Sequence, residues 1–175
     1  MVEMLVVVSI ISLLLGMLYS AIRSVQRYSR ESITRGELKN IEAAWKQYYA
    51  HYQAWPTGDV SAASDRRTVA GDIQYTLDGS FARMLEGQAI TNGSETVNVE
   101  AVSFLELTRF DSAGAPVNAW GSPHGKPYHV IFDVNGDNQV TPQTSAISNT
   151  TIFRAVAVWT DHPEKAGRIL GSWER

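Results

Sequence analysis

The chain has 175 residues, of which 44% are hydrophobic and 19% charged, a composition that supports one folded domain with an appended element and excludes a disordered chain. Its net charge is −3, and no stretch is basic enough to form a nucleic-acid surface. Because it contains no cysteine, disulfides, thiolate catalysis and zinc–thiolate sites are excluded.

The first 22 residues are an apolar run in which Glu3 is the only charge. At ~1.5 Å per residue, about 20 such residues span the hydrocarbon core of a bilayer as a helix. A buried helix of a soluble protein would carry a polar stripe, and a cleaved signal peptide would have a basic start and a small-residue cleavage site. We therefore predict that residues 1–22 are the transmembrane half of a long N-terminal helix, with a signal peptide as the alternative.

Three arginines, Arg23, Arg27 and Arg30, follow the apolar run. By the positive-inside rule they favour a cytoplasmic location for the residues after the run. A basic segment before Met1 would reverse this preference, so the local charge leaves the orientation open.

Glu3 places a carboxylate inside an apolar run, which costs roughly 2.5–3.5 kcal/mol at the centre of a bilayer and less near its interface. The side chain either lies at the interface, where its charge costs little, or pairs with a charge on a neighbouring subunit, most naturally an N-terminal amine. Only the second interpretation gives Glu3 a function, and composition alone does not decide between them.

The helical pattern continues beyond the apolar run. Apolar and aromatic residues recur at spacings of three and four, which indicates one stripe of an amphipathic helix. This stripe consists of Leu38, Ile41, Trp45, Tyr48, Tyr49 and Tyr52. Glu42 and Lys46 form a favourable i,i+4 pair, and Pro56 ends the pattern. We predict that residues 23–55 are the amphipathic half of the helix and lie on a globular head formed by residues 56–175; a helical linker is the alternative.

The head is predicted to be α+β. Ser80–Glu86 is typical of a helix, whereas Thr68–Leu77 and Thr96–Leu107 each fit either a strand or a short helix. Tyr128–Phe132 and Ile152–Trp159 have the β-branched and aromatic composition of strands. We expect a two- to four-stranded antiparallel sheet that packs on the long helix.

One loop of the head has the pattern of a cation site. Oxygen-bearing side chains stand at positions 1, 3 and 5, and a carbonyl and a hydroxyl follow at positions 7 and 9, as in an EF-hand-type loop. The candidate ligands are Asp133, Asn135, Asp137, the carbonyl of Gln139, and Thr141. Gly136 stands earlier than in that loop, and Thr144 stands where a bidentate carboxylate would close it. We predict calcium rather than magnesium, which prefers fewer protein ligands and more water.

Two points about this loop stay open at the level of sequence. Asp161 is a candidate remote ligand for the same cation. The alternative to a cation site is a plain Asn-Gly hairpin turn that joins Phe132 to Val140.

The N-terminal sequence Val2-Glu3-Met4-Leu5-Val6-Val7-Val8, continuing through Ser9 to Leu14, resembles the first helix of type IV pilins and type II secretion pseudopilins. In that family a prepilin peptidase removes a short basic leader, and the new N-terminus is methylated. Val2 and Glu3 match the last two residues of the family's Phe-Thr-Leu-Val-Glu opening, whereas Met1 stands in place of Leu. Since the leader, the Phe and the Thr are absent, we expect the true chain to extend upstream of Met1.

The head resembles the same family, in particular its major pseudopilins. Asn118–Pro123, followed by Pro127-Tyr128, is similar to the family's Trp-Gly-x-Pro-Tyr signature, with His124-Gly125-Lys126 inserted. The closing segments Val158–Asp161 and Gly171–Trp173 are also similar to the last strand and tail of such heads. Major pseudopilins bind calcium in a loop of this sheet, although with a different ligand spacing.

The resemblance implies a pilin-like α+β fold and a structural function. Glu3 would neutralise the N-terminal amine of the adjacent subunit as the subunits polymerise. The protein would cross the bacterial inner membrane once, hold its head in the periplasm and join a homo-oligomeric pseudopilus or pilus-like filament. Its further partners would be minor pseudopilins, the inner-membrane assembly platform and the prepilin peptidase.

Catalysis has no positive support in the sequence. The four histidines lack the spacing of a metal site, no phosphate-binding glycine loop is present, and Ser122 is followed by Pro123 rather than placed in a nucleophile elbow. We therefore predict that the protein is not an enzyme, and a membrane-anchored hydrolase is disfavoured. The main alternative is a membrane-anchored periplasmic binding module that does not polymerise and grips a carbohydrate or peptide with Trp120, Trp159 and Trp173.

Overall fold

The computed structural model describes residues 2–56, 67–92, 95–144 and 150–174. The chain divides into two compact units, Met1–Ile33 and Thr34–Arg175. A single helix, α1 (Val2–Tyr52), supplies the first unit and the beginning of the second. It ends at Tyr52, three residues before the predicted end at residue 55 and four before Pro56.

The described residues of the second unit form seven strands and one more helix. Their bounds are β1 (Arg67–Val69), β2 (Asp72–Thr76), α2 (Gly79–Leu85), β3 (Ile90–Asn92), β4 (Glu95–Val97), β5 (Tyr128–Phe132), β6 (Val156–Asp161) and β7 (Ile169–Gly171). Five strands form an antiparallel sheet in the order β1-β2-β5-β6-β7, and β3 pairs with β4 separately. The chain is therefore α+β, with a long N-terminal apolar helix and a small antiparallel sheet.

The segment Thr68–Leu77, for which strand and helix were both open, forms the β1–β2 hairpin. Ala70 and Gly71 make its two-residue turn, and both have positive φ values, 53° and 96°. Two consecutive left-handed residues match the right-handed twist of the strands, which is why such turns close tight hairpins. The turn thus brings Arg67 opposite Gln74.

Helix α2 confirms the helix predicted over Ser80–Glu86. Asp78 is its N-cap, and the carboxylate oxygen Oδ1 accepts hydrogen bonds from the amides of Ser80 and Phe81 at 2.9 and 3.1 Å. This satisfies two of the amide groups that a helix start leaves without partners. Phe81 is buried in the core of the head.

Two other segments differ from the prediction, Thr96–Leu107, for which strand and helix were both open, and the predicted strand Ile152–Trp159. In Thr96–Leu107 only the first two residues belong to a strand, β4, and the rest has no regular structure. In Ile152–Trp159 the strand begins only at Val156, because Ile152 forms an isolated bridge with Val140. The sheet also has five strands rather than the expected two to four. Strand β5 is as predicted.

The predicted stripe of α1 packs on one face of the sheet. Leu38, Ile41, Trp45 and Tyr48 are buried in one cluster with strand residues such as Phe132. The ring of Trp45 meets that of Phe132 edge-on, with 4.9 Å between ring centroids. Tyr49 was wrongly placed in the stripe: it is 41% exposed. We call this side of the sheet its inner face.

Two glutamates of α1 tie the helix to the head. Glu37 accepts a hydrogen bond from the hydroxyl of Tyr128 at 2.6 Å and pairs with Arg109. Glu42 is 3% exposed and lies 2.6 Å from both Lys46 and Arg154. The predicted Glu42–Lys46 pair is therefore confirmed, and it is one of two ion pairs that the buried Glu42 carboxylate makes with exposed cations.

The opposite, outer face of the sheet has a smaller apolar cluster. Its members are Val69, Ile131, Val140, Ile152, Ala157, Trp159 and Ile169, with Trp173 packed against them. The bridge between Val140 and Ile152 belongs to the chain that covers this face. Both faces of the sheet are thus buried in part, which explains why β5 and β6 are nearly continuous apolar runs.

Candidate functional site

The first unit exposes its apolar side chains throughout. From Val2, at 74%, to Ile22, at 45%, the large hydrophobic residues are exposed. A monomeric soluble protein rarely exposes a contiguous apolar surface of this extent, so such a surface marks a membrane or protein contact. α1 is long and apolar enough to cross a membrane.

The polar residues of this helix are compatible with an apolar environment. The hydroxyls of Ser9 and Ser12 donate to the carbonyls of Leu5 and Val8, each at 2.8 Å. Such bonds to the preceding turn satisfy the hydroxyl within the helix itself. The serines therefore add little to the cost of placing residues 2–22 in lipid.

The first charged residue after the apolar run is paired within the helix. The guanidinium of Arg23 lies 4.5 Å from the ring centre of Tyr19, one turn earlier. A tyrosine beside a cation is typical of a membrane interface, where one end of the ring is apolar and the other is wet. At ~1.5 Å per residue, the distance along the helix from Glu3 to Arg23 is about 30 Å, the thickness of a bilayer core.

Glu3 is exposed and is the second residue of α1, which begins at Val2. A carboxylate in the first turn of a helix is favoured by the helix dipole. The assembly role that the resemblance gives to Glu3 needs a second subunit, and it stays a prediction.

The loop predicted to bind calcium is held by its own side chains. Asp133 is 6% exposed, and its two carboxylate oxygens accept hydrogen bonds from the amides of Gly136 and Asn138 at 2.6 and 2.7 Å. Asn135 accepts one from the amide of Asp137 at 2.9 Å. Gly136 and Asn138 have positive φ values of 79° and 57°, which turn the chain tightly around the Asp133 carboxylate.

The later ligand candidates continue this pattern of local bonds. Asp137 accepts a hydrogen bond from the amide of Gln139 at 2.8 Å. The hydroxyl of Thr141 lies 3.4 Å from that of Thr151, beside the Val140–Ile152 bridge. Phe132 pairs with strands β2 and β6 and does not pair with Val140. The alternative of a plain hairpin that joins Phe132 to Val140 is therefore wrong.

Asp161 lies too far away to be a ligand in this loop. The amide of Asp133 donates to the carbonyl of Ala155, just before β6, whereas Asp161 is the last residue of β6. Asp161 lies five residues after Val156 along the strand, which is about 16 Å. The prediction of a remote ligand at Asp161 is therefore wrong.

The structure adds a carboxylate that the sequence pattern does not include. Asp72 begins β2 beside the start of the loop, and its Oδ1 accepts a hydrogen bond from the amide of Val134 at 3.3 Å. Burial, and after it the charges of Asp133 and Asp137, raise the pKa of Asp72 to about 6. Nothing in the sequence signals this, because only the β2–β5 pairing brings Asp72 to the loop.

The donor set of the loop is chemically suited to a hard cation, since it consists of carboxylate, amide and carbonyl oxygens. In the described conformation, however, Asp133, Asn135 and Asp137 already accept backbone amides. Within the described ranges, no three His, Asp or Glu side chains form a group able to hold a metal ion. Calcium binding by this loop stays a prediction.

The three tryptophans of the alternative binding module do not form one exposed platform. Trp120 is buried with the inner-face cluster, and its Nε1 donates to Glu164 at 3.2 Å. Trp159 is 1% exposed and belongs to the outer-face cluster, against which Trp173 packs. A ligand cannot stack on Trp120 and Trp159 together, because they lie on opposite faces of the sheet.

The segment that resembles the Trp-Gly-x-Pro-Tyr signature is a loop closed by Asn118. The Oδ1 of this buried residue accepts from the amides of Trp120 and Lys126, and its Nδ2 donates to the hydroxyl of Thr160 at 3.1 Å. The inserted residues turn back within the loop, where the amide of Gly125 donates to the carbonyl of Gly121. The insertion is therefore accommodated without disturbing β5, which begins at Tyr128.

Comparison with known proteins finds no matching family model, no matching curated protein and no matching solved structure.

Proposed function

We propose that this chain is a structural, non-enzymatic subunit of a periplasmic pseudopilus or type IV pilus-like filament that serves type II protein secretion. It is anchored in the bacterial inner membrane by residues 1–22 and is drawn from there into the filament. Its partners are other copies of itself, minor pseudopilins, the inner-membrane assembly platform and the prepilin peptidase.

The observation that carries the proposal is the exposed apolar run from Val2 to Ile22, in which Glu3 is the only charged residue. A single membrane anchor needs an apolar helix and does not require a carboxylate near its start, whose charge the helix dipole favours but lipid disfavours. In a bundle of helices the same carboxylate fixes the register, because a mispaired neighbour leaves the charge without its partner. The N-terminal resemblance assigns this task to Glu3.

The second half of α1 supports the proposal from the side of the head. Its buried stripe and the contacts of Glu37 and Glu42 hold the helix firmly on the sheet. A filament subunit has to transmit force from its head to its packed helix, and a carboxylate as buried as that of Glu42 is costly to leave without its partners. This attachment suits a subunit better than a loosely linked anchor.

The test is Glu3→Leu in the full chain, expressed in bacterial cells that assemble the filament. We expect the variant to insert into the membrane and to keep a folded head, because Glu3 lies outside the head unit. We also expect its amount in sheared filaments to fall at least about tenfold, since the register contact is lost. Filaments are quantified by immunoblot after shearing and sedimentation.

Met4→Leu is the matched control, because it changes the neighbouring residue on the same exposed helix without changing charge. Its amount in the filament fraction should equal that of the wild type. Normal incorporation of Glu3→Leu would remove the register role of Glu3. Absence of the wild-type chain from the filament fraction would leave it as a membrane-anchored protein that does not polymerise.

A further inference from the structure

A cavity of about 170 Å³ opens on the outer face of the sheet, on the side away from α1. Its walls include Arg67, Gln74, Thr76, His129, Trp159 and Asp161. The strand register explains why these side chains meet. Thr76 pairs with His129 and His129 with Trp159, so all three point to the same face, and Arg67 stands opposite Gln74 on the next row. We call this feature the outer-face cavity.

The centre of the cavity is a fixed aromatic wall. The rings of His129 and Trp159 are stacked, with 5.5 Å between centroids and 23° between planes. The hydroxyl of Thr76 lies 3.0 Å from His129 Nδ1 and holds the imidazole in place. Because Trp159 is almost fully buried, it supports the half-buried His129, which is the ring that a ligand can reach.

One side of the cavity is closed by a rigid amide contact. The side chain of Gln74 donates to the carbonyl of Gln143 and accepts from its amide, at 3.0 Å each. Through these two bonds the Gln74 side chain pairs with the backbone of Gln143 as a neighbouring strand would. The cavity is therefore preformed, which spares a ligand the cost of ordering it.

The rim carries one charge of each sign. Arg67 offers a planar set of hydrogen-bond donors, and Asp161 offers two acceptor oxygens. An anion would be repelled by Asp161 and a cation by Arg67, whereas a ligand whose groups both donate and accept satisfies both. An apolar ligand would leave these polar groups without partners.

We propose that the outer-face cavity binds one ring of a neutral sugar. One sugar hydroxyl donates to the Asp161 carboxylate and another, on the opposite side of the ring, accepts from the Arg67 guanidinium, while the C–H face of the ring lies on His129. The cavity is smaller than the 300–1,000 Å³ that is typical of larger ligands, so it accommodates a single ring with the remainder of a glycan outside. This inference does not depend on whether the chain polymerises.

The experiment uses the full chain in a detergent without a sugar headgroup, because maltoside and glucoside detergents would compete for the cavity. The probes are the methyl β-glycosides of glucose, galactose, mannose and N-acetylglucosamine, titrated while protein NMR signals are followed. We expect saturable shifts of the Trp159 indole and His129 ring signals with one of the sugars, at a Kd of about 1–10 mM. In Asp161→Ala and in Arg67→Ala the Kd should rise at least about tenfold.

Phe153→Ala is the control, because Phe153 is 78% exposed and does not line the cavity; its Kd should equal that of the wild type. Asp161→Asn, which keeps the shape of the side chain, guards against a folding defect in Asp161→Ala. The proposal is overturned if no sugar gives saturable shifts, or if the cavity variants bind as the wild type does. Saturable binding of acetate or of a short peptide without a response to sugars also overturns it.

Discussion

Glu42 and Asp72 are both buried carboxylates, and their surroundings shift the two pKa values in opposite directions. Burial raises the pKa of Glu42, but hydrogen bonds from Lys46, Ser172 and Arg154 outweigh it and hold that pKa below its ordinary value. Asp72 has only the backbone amides of Val134 and Asn135 to offset burial and the nearby charges of Asp133 and Asp137. Glu42 therefore stabilises the head in its charged form, whereas a charged Asp72 destabilises it.

The first prediction concerns the pH dependence that Asp72 creates. Because its pKa rises from 3.8 to about 6 on folding, the folded state binds the proton more tightly. Relative to an Asp72 that is charged in the folded state, the protonated side chain stabilises the head. This contribution is complete below pH 3.8 and is lost as the pH rises through about 6. Asp72→Asn should therefore gain stability relative to the wild type between pH 4 and pH 7.5, by roughly 1–3 kcal/mol.

The measurement is the free energy of unfolding in urea, at several pH values and with a chelator present so that no cation contributes. The difference between Asp72→Asn and the wild type is the quantity to follow, because other titrating groups cancel in it. A difference that does not change between pH 4 and pH 7.5 would contradict the assignment.

Residues were predictable from sequence where their role depends on near neighbours in the chain. The Glu42–Lys46 pair and the apolar setting of Glu3 follow from local spacing alone. The environment of Asp72 and the contact of Glu42 with Arg154 do not, because strand pairing and the fold of the head bring these residues together. Asp161 was misplaced for the same reason: its register in β6 was unknown.

At the scale of elements, α1 was the clearest prediction and the short strands the least clear. A helix of 51 residues repeats its pattern many times, whereas β1 and β7 have three residues each. The β1–β2 hairpin turns at Ala70-Gly71, which lacks the Asn-Gly or Asp-Gly signal of such turns. The loop after Phe132 does contain Asn-Gly, yet it does not join paired strands.

The Asp133 loop gives a prediction at this scale. If it binds calcium, the wild type should gain stability as calcium is added, by about 2.7 kcal/mol when the ion is a hundredfold above its Kd. Asp133→Asn with Asp137→Asn should abolish this gain, because a neutral amide is a weaker calcium ligand than a carboxylate. The amide oxygens can still accept from Gly136 and Gln139, whereas the bond from the Asn138 amide to the second oxygen of Asp133 is lost, which lowers stability equally with calcium and with chelator.

Thermal unfolding of the full chain in detergent, with calcium or with chelator, measures the effect. Asp161→Asn serves as the control and should respond to calcium as the wild type does, because it lies at the far end of β6. An equal loss of stability in chelator and in calcium would show that the loop is a structural turn without a cation.

At the scale of the whole molecule, one chain combines two kinds of surface. The described part of Met1–Ile33 exposes nearly all of its side chains, whereas Thr34–Arg175 buries a core on both faces of its sheet. The sequence predicts this contrast, because apolar residues follow one another almost without interruption near the N-terminus and alternate with polar residues in the rest of the chain. It does not predict the outer-face cavity, which depends on the register of strands from distant parts of the chain.

The last prediction tests whether the exposed apolar run is a membrane anchor. Leu13→Arg with Leu14→Arg places two charges near the middle of the run, and each costs roughly 2.5–3.5 kcal/mol at the centre of a bilayer. We expect the wild type to stay with the membrane pellet after alkaline carbonate extraction and the double variant to be released. Ser24→Arg with Val25→Arg is the control: it adds the same charge beside Arg23, beyond the apolar run, and should stay in the pellet. Retention of the Leu13/Leu14 variant at the wild-type level would show that the run is held by protein contacts rather than by lipid.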